Sequence, residues 1–149
     1  MLIRLLAATV AGGLVFYVVG FVLFGLVLDP FLRPYINQFP GLMKEPMPDL
    51  LFLPLWNLVM AFLFAIVFEK WAGIRTFVGG LKAGAVLMFL VALILDLNYL
   101  AFMNLWKGPV GVTIEILAST ALGALAAGVV GAVLGLMHKG SSAAPAAAE

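Results

Sequence analysis

The sequence has 149 residues, of which 65% are hydrophobic and 10% are charged, and its mean hydropathy is +1.21. These values lie far outside the composition of soluble globular domains and predict a single membrane domain. Eight basic and seven acidic residues give a net charge of +1, and the basic residues are scattered, which argues against nucleic-acid binding. The absence of cysteine excludes disulfides and thiolate catalysis.

Four apolar segments predict four membrane-spanning helices, at about residues 5–28, 50–69, 77–105 and 109–137. At about 1.5 Å per residue, each is long enough to cross a hydrocarbon core of about 30 Å. The predicted fold class is therefore all-α, a polytopic transmembrane four-helix bundle that comprises residues 1–139. The first segment starts like a signal peptide, but its apolar run is too long for a cleavable one, so we expect it to be retained.

Two segments outside the predicted helices have a different composition. Residues 29–49 hold five of the eight prolines, so we expect no regular helix there beyond a short turn near residues 31–38. Interleaved apolar side chains indicate that this segment lies at the membrane interface, either as a simple connector or as a lid over the bundle. Residues 140–149 form a Gly, Ser, Ala and Pro tail that we expect to be mobile.

The distribution of Lys and Arg predicts the orientation of the chain. Four crossings place both termini on one side, and cytoplasmic loops carry an excess of basic residues. Five basic residues fall on the side of the termini, against three on the other side: Arg4, Lys70, Arg75, Lys82 and Lys139 against Arg33, Lys44 and Lys107. We therefore expect a multi-pass protein of the inner, cytoplasmic membrane with both termini in the cytoplasm.

Small residues recur at every fourth position of several predicted helices. The longest such row is a stripe in the fourth helix, in which six of seven positions are Gly, Ala or Ser and the seventh is a carboxylate: Gly111, Glu115, Ser119, Gly123, Ala127, Gly131 and Gly135. Because lipid provides little hydrophobic drive between helices, close approach at small residues must stabilise their association. The predicted packing residues are Gly12, Gly20, Gly80, Gly84, Gly123, Ala127, Gly131 and Gly135.

The stripe leaves open whether its partner helix belongs to the same chain or to another protomer. A four-helix monomer has few places for so many small-residue rows, which favours a homo-oligomer or a complex with another membrane subunit.

Polar residues within the apolar segments form the candidate site. Asp96 and Glu115 lie on the two arms of one tight helical hairpin, at depths of about 15 Å and about 9 Å below the outer surface. Two carboxyls that meet in a low dielectric cannot both ionise easily, so this pair could share one proton. Alternatively, neighbouring polar groups cap each carboxyl, which then only sets the helix register. The candidate residues are Asn57, Asp96, Asn98, Tyr99, Glu115 and Ser119.

The sequence lacks the residues that several kinds of metal, cofactor and catalytic site need. His138 is the only histidine and lies at a membrane face, so this chain alone cannot build a bis-histidine haem site or a histidine metal cluster. A nucleophile elbow, a P-loop and a dinucleotide fingerprint are also missing. We therefore expect no cofactor, no metal and no enzymatic activity.

The pattern resembles a loose group of small bacterial four-helix membrane proteins with no established activity. The residues that carry the resemblance are packing residues spread over nearly the whole chain: Gly12, Gly13 and Gly20, the connector 71–77, the opening 80–84 of the third helix, Asp96, and the glycines of the fourth helix. Because the group has no assigned chemistry, the resemblance implies a fold and carries no residue roles.

Two functions are compatible with these features. The first is a non-enzymatic packing or accessory subunit in the lipid bilayer, which associates with itself or with a larger complex through small-residue helix faces. The alternative is a binding or transport protein for a small solute, a proton or a lipid, which uses the polar residues in the outer half of the membrane.

Overall fold

The computed structural model describes residues 1–42, 44 and 48–142, with side chains up to residue 138. Within that part, four helices are long and apolar enough to cross a membrane: α1 (Leu2–Tyr35), α2 (Phe52–Ala72), α3 (Phe77–Phe102) and α4 (Pro109–Ser142). The described chain is thus all-helical, apart from its connecting turns and one isolated β-bridge. The predicted mobile tail lies outside the described residues from residue 143 onwards.

Helix α1 is longer than the sequence predicts. It continues beyond residue 28 to Tyr35, through a π-helical stretch (Phe21–Leu28), one α-helical turn (Asp29–Leu32) and a 3₁₀ turn (Arg33–Tyr35). The predicted end of the first helix at residue 28 is therefore wrong, whereas the turns that follow are short, as Pro30 and Pro34 predict. Each of these prolines lies in the first two positions of its turn, where a missing N–H costs least. The 34 residues of α1 rise about 50 Å, more than a hydrocarbon core requires.

The connection between α2 and α3 is tight and has identifiable end signals. Gly73 adopts a left-handed conformation with φ of 62°, which favours glycine, and ends α2. The N–H of Ile74 then donates to the Phe68 carbonyl at 3.3 Å. Thr76 caps α3 because its hydroxyl accepts a hydrogen bond from the Gly79 N–H at 3.1 Å. Helix α3 thus begins only a few residues after α2 ends.

The four helices pack mainly in the order α3, α4, α1, α2, with a smaller contact between α2 and α4. Large side chains fill the space between α1, α2 and α4, where Phe16, Phe64, Phe68, Val130 and Leu134 are almost completely buried. The Phe16 and Phe64 rings stack with centroids 5.9 Å apart, and Phe64 stacks on Phe68 at 6.1 Å. The core of the bundle therefore lies on one side of α4, and α3 covers its other side.

The interface between α3 and α4 is made of small residues. Every position of the α4 stripe is buried except Glu115, which is half-buried. A Cβ atom built on Gly131 would lie 2.6 Å from the Thr76 carbonyl oxygen and 3.3 Å from the Gly80 Cα atom. The two backbones are thus in direct contact, as small residues permit.

The other predicted packing residues also face neighbours in the same chain. Gly80 and Gly84 lie against Ala127, Gly123 against Met88, and Gly135 against the Arg75 carbonyl. In α1, Gly12 faces Val130 and Ala61, and Gly20 faces Leu122. A single chain therefore does have places for these rows, so their number no longer favours another protomer. Association with a second subunit stays a prediction.

Candidate functional site

Asp96 is the most deeply buried acid of the described chain, with only 2% of its surface exposed. It lies on the buried row of α3 that also contains Gly80, Gly84, Met88 and Ala92. The Trp106 indole N–H donates to its Oδ1 atom at 3.1 Å. Its Oδ2 atom is buried and has no hydrogen-bond partner among the described residues. One oxygen of this carboxyl therefore accepts a hydrogen bond and the other does not.

Glu115 faces Asp96 from the first part of α4. Its carboxyl is close enough to interact directly with that of Asp96. The Ser119 hydroxyl, one turn later on the same helix, donates to Glu115 Oε1 at 2.7 Å. The fold therefore brings together three of the six candidate residues, Asp96, Glu115 and Ser119. We refer to Asp96 and Glu115 as the carboxyl pair.

A backbone cap lies beside the carboxyl pair, where the chain leaving α1 meets the α3–α4 turn. The Asn37 N–H donates to the Leu105 carbonyl and the Lys107 N–H to the Tyr35 carbonyl, both at 2.8 Å, which forms an isolated antiparallel bridge. The Asn37 side chain adds a bond to the Asn104 carbonyl at 2.7 Å. The start of the proline-rich segment is therefore tied to the turn that carries Trp106.

The cap also packs closely on the start of α4. A Cβ atom on Gly111 would lie 2.7 Å from the Tyr35 Cβ atom and 2.9 Å from the Trp106 Cε3 atom. Gly111 thus lets the Trp106 ring lie against α4 while its N–H reaches Asp96.

Trp106 is the member of this site that the sequence analysis missed. The sequence places it only in an interfacial turn, ten positions after Asp96. A tryptophan after a helix that carries a buried acid is a weak signal, because the indole must fold back over the turn to reach the carboxylate.

The other three candidate residues do not join the site. Asn57 is buried, but its Nδ2 atom donates to the Leu53 carbonyl of its own helix at 3.0 Å. Asn98 is exposed, and Tyr99 is half-buried without a side-chain hydrogen bond to the carboxyl pair. Of these four polar residues, only Ser119 therefore contacts the carboxyl pair, and a functional role of the site stays a prediction.

Neither of the two main surface grooves of the described chain reaches the carboxyl pair. One groove, of about 400 Å³, is lined by residues near the cap: Phe39, Leu42, Met103, Asn104 and Leu105. The other, of about 390 Å³, runs between α1 and α2 and is lined by Val10, Gly13, Leu14, Tyr17, Pro54 and Leu58. In the same described part, groups of three or more His, Asp or Glu side chains that could hold a metal ion do not occur. Of the carboxyl pair, Asp96 is buried and Glu115 is half-buried.

A second polar cluster joins the helices at the opposite end of the bundle, near both chain termini. Glu69, of which 3% of the side chain is exposed, forms ion pairs with Arg4 at 3.0 Å and with Arg75 at 3.3 Å. A further hydrogen bond joins Arg4 Nη1 to His138 Nδ1 at 2.9 Å. This terminal network connects the start of α1, the last part of α4, the end of α2 and the α2–α3 connector. The sequence analysis used its basic residues only to orient the chain.

Comparison with known proteins adds no assignment to either cluster. The similarity to small bacterial four-helix membrane proteins therefore stays a prediction based on packing residues. No protein-family model, curated protein or solved structure matches this chain.

Proposed function

We propose that this chain is a non-enzymatic multi-pass membrane protein that binds or transports a proton or another small solute through the carboxyl pair. Its four helices contain 21 to 34 residues each, which supports four crossings of a core of about 30 Å. The excess of basic residues on the side of the termini supports a cytoplasmic location of both ends. The carboxyl pair then lies in the outer half of the inner membrane.

The burial of Asp96 is the observation that carries this proposal. An ionisable side chain within the hydrocarbon region costs about 2.5–3.5 kcal/mol on insertion scales, and it is a functional candidate by default. A buried polar atom without a partner costs roughly a further 1–3 kcal/mol. Close packing of α3 on α4 requires neither of these free-energy costs, because Gly80, Gly84 and Ala92 on the same row allow the two helices to approach closely. The acid therefore has a use other than packing.

Proton flux in proteoliposomes tests this function. Vesicles that enclose a pH-sensitive dye receive a potassium diffusion potential, and the rate of internal pH change is recorded. The unsubstituted protein should respond faster than either Asp96→Asn or Glu115→Gln. Asp29→Asn is the matched control, because Asp29 is an exposed carboxylate paired with Arg33 outside the bundle.

Sodium and potassium gradients without a pH difference provide the second arm of this experiment, for a solute other than the proton. Equal rates for the unsubstituted protein, the two carboxyl variants and empty vesicles in both arms would reject the proposal.

The second candidate function is that of an accessory subunit, and the groove between α1 and α2 favours it. This groove has Gly13 at its base and an almost wholly apolar lining. The α1 side chains beside it, such as Leu6, Val10, Leu14 and Val18, are more than half exposed. Because α3 covers most of the α4 stripe, we assign a partner helix to this groove rather than to the stripe.

Native mass spectrometry from mild detergent tests the accessory role. A defined oligomer that dissociates on Leu14→Ala, at an exposed position that lines the groove, would support it. A monomer at all detergent concentrations for the unsubstituted protein would reject self-association.

A further inference from the structure

The donors around the carboxyl pair do not match its acceptors. An ionised carboxylate only accepts hydrogen bonds, so each of its oxygens needs a donor when it is buried. Trp106 provides one for Asp96 Oδ1, and Ser119 provides one for Glu115 Oε1. Asp96 Oδ2 has none in the described part of the chain. One buried oxygen of the carboxyl pair is therefore without a donor.

Basic side chains do not provide the missing donor. The ion pairs of the described residues involve Asp29, Asp49 and Glu69, and none involves the carboxyl pair. Lys107, the nearest basic residue in the sequence, has an exposed side chain. The other described titratable side chains of α1, α3 and α4 do not donate to the pair either. Arg33 is paired with Asp29, Arg4 and His138 belong to the terminal network, and Tyr17 and Lys82 are exposed. Tyr35 and Tyr99 form no hydrogen bond with the pair. The negative charge is thus not balanced by a cationic side chain.

A metal ion or a solute also fits this position poorly. A metal site needs several oxygen ligands around a cavity, whereas only two carboxyls and one hydroxyl meet here. Both surface grooves are lined by other residues. A proton needs no volume, and it converts one carboxyl into the donor that the other requires.

We infer that Asp96 and Glu115 hold one exchangeable proton between them as a carboxylic acid–carboxylate hydrogen bond. This inference names the ligand of the site described above and so rests on the proposed function. A proton from solution adds to one carboxylate oxygen, and the pair then carries a single negative charge. Two adjacent carboxylates in a low dielectric favour this state, because like charges at such close range repel strongly.

Infrared spectroscopy of the full chain in phosphatidylcholine vesicles at neutral pH tests the inference. A protonated carboxyl has a C=O stretching band separate from the carboxylate bands, and this band shifts when water is replaced by D₂O. We expect such a band in the unsubstituted protein, and its loss in the double variant Asp96→Asn with Glu115→Gln. A double variant at two acids outside the carboxyl pair, Asp29→Asn with Asp49→Asn, is the control and should keep the band.

The single variants decide whether the proton is shared. If it lies between the two carboxyls, replacing either partner must shift or remove the band. A band that is absent from the unsubstituted protein, or that survives unchanged in either single variant, would overturn the inference. Size-exclusion profiles identify any variant that does not fold.

A measurement with both carboxyls intact covers the case in which the variants fail to fold. Replacing Trp56 and Trp71 by Phe leaves Trp106 as the only tryptophan. Its emission should then shift as the pH changes the charge on Asp96, to which its indole N–H donates. An emission spectrum that stays constant over the stability range of the protein would contradict an exchangeable proton.

The two experiments separate this inference from the proposed function. The expected infrared band together with liposome rates that do not depend on the carboxyls would keep the shared proton and reject transport. An absent band together with carboxyl-dependent sodium or potassium flux would reject the shared proton and keep a transport site.

Discussion

Replacing Ala127 by Leu should separate α3 from α4. Ala127 is completely buried, and its Cβ and carbonyl atoms lie against Gly84 and Gly80, which have no side chains that could move aside. Three additional carbon atoms therefore force the two backbones apart. Overpacking of a dense core costs about 1–3 kcal/mol, and we expect the upper part of this range because the obstacle is backbone.

Ala121→Leu is the matched control for this substitution. It makes the same chemical change on the same helix, at a position whose side chain is exposed. Alanine and leucine have similar helix propensities, so the control should change the free energy of unfolding by less than about 0.5 kcal/mol.

The assay is reversible unfolding in mixed detergent micelles, followed by tryptophan fluorescence. Equal free energies of unfolding for the two variants would refute the assignment of this face to intramolecular packing. A loss at Ala127 that disappears on dilution of the protein would instead place the face between two copies of the chain.

Three further outcomes follow from other contacts. Trp106→Phe should lower the free energy of unfolding by about 1–3 kcal/mol, because the buried carboxyl pair loses an N–H donor; Trp71→Phe, at an exposed position, should have no comparable effect in the same unfolding assay. Arg4→Gln should lower the free energy of unfolding by about 3 kcal/mol. This value is the lower end for a broken buried ion pair, because the Arg75 guanidinium still pairs with Glu69. Arg33→Gln breaks an exposed ion pair and should lower the free energy of unfolding by less than about 1 kcal/mol. Hydrogen bonds from the Lys44 side chain, which has the largest effect, and from two backbone N–H groups lower the pKa of Asp49 from 3.8 to about 2. The contribution of Asp49 to stability is therefore fully present above pH 3.8 and is lost as the pH falls through 2. An NMR titration that gives Asp49 an ordinary pKa would contradict these bonds.

The sequence alone determines the helical class and the number of long apolar helices. In lipid, the backbone must satisfy its own hydrogen bonds, so a long uncharged run has one structural outcome. The sequence also predicts the buried face of α3, because small residues at every fourth position lie on one side of a helix. Gly80 and Gly84, which the sequence predicts to pack, lie on the face that the structure buries, together with Met88, Ala92 and Asp96. Both features depend only on local spacing along the chain.

Tertiary structure decides which faces meet and which polar groups find partners. The stripe of α4 has the same appearance whether α3 or another protomer covers it, and only the helix arrangement shows that α3 does. Trp106 reaches Asp96, and Arg4 reaches Glu69, across turns and between helices that are far apart in the sequence. The course of α1 through Pro30 to Tyr35 likewise depends on local helix geometry that composition does not specify. The periodicity of the sequence shows which residues share one face of a helix. Contacts between helices depend on the relative positions of several helices, and packing of the whole bundle sets those positions.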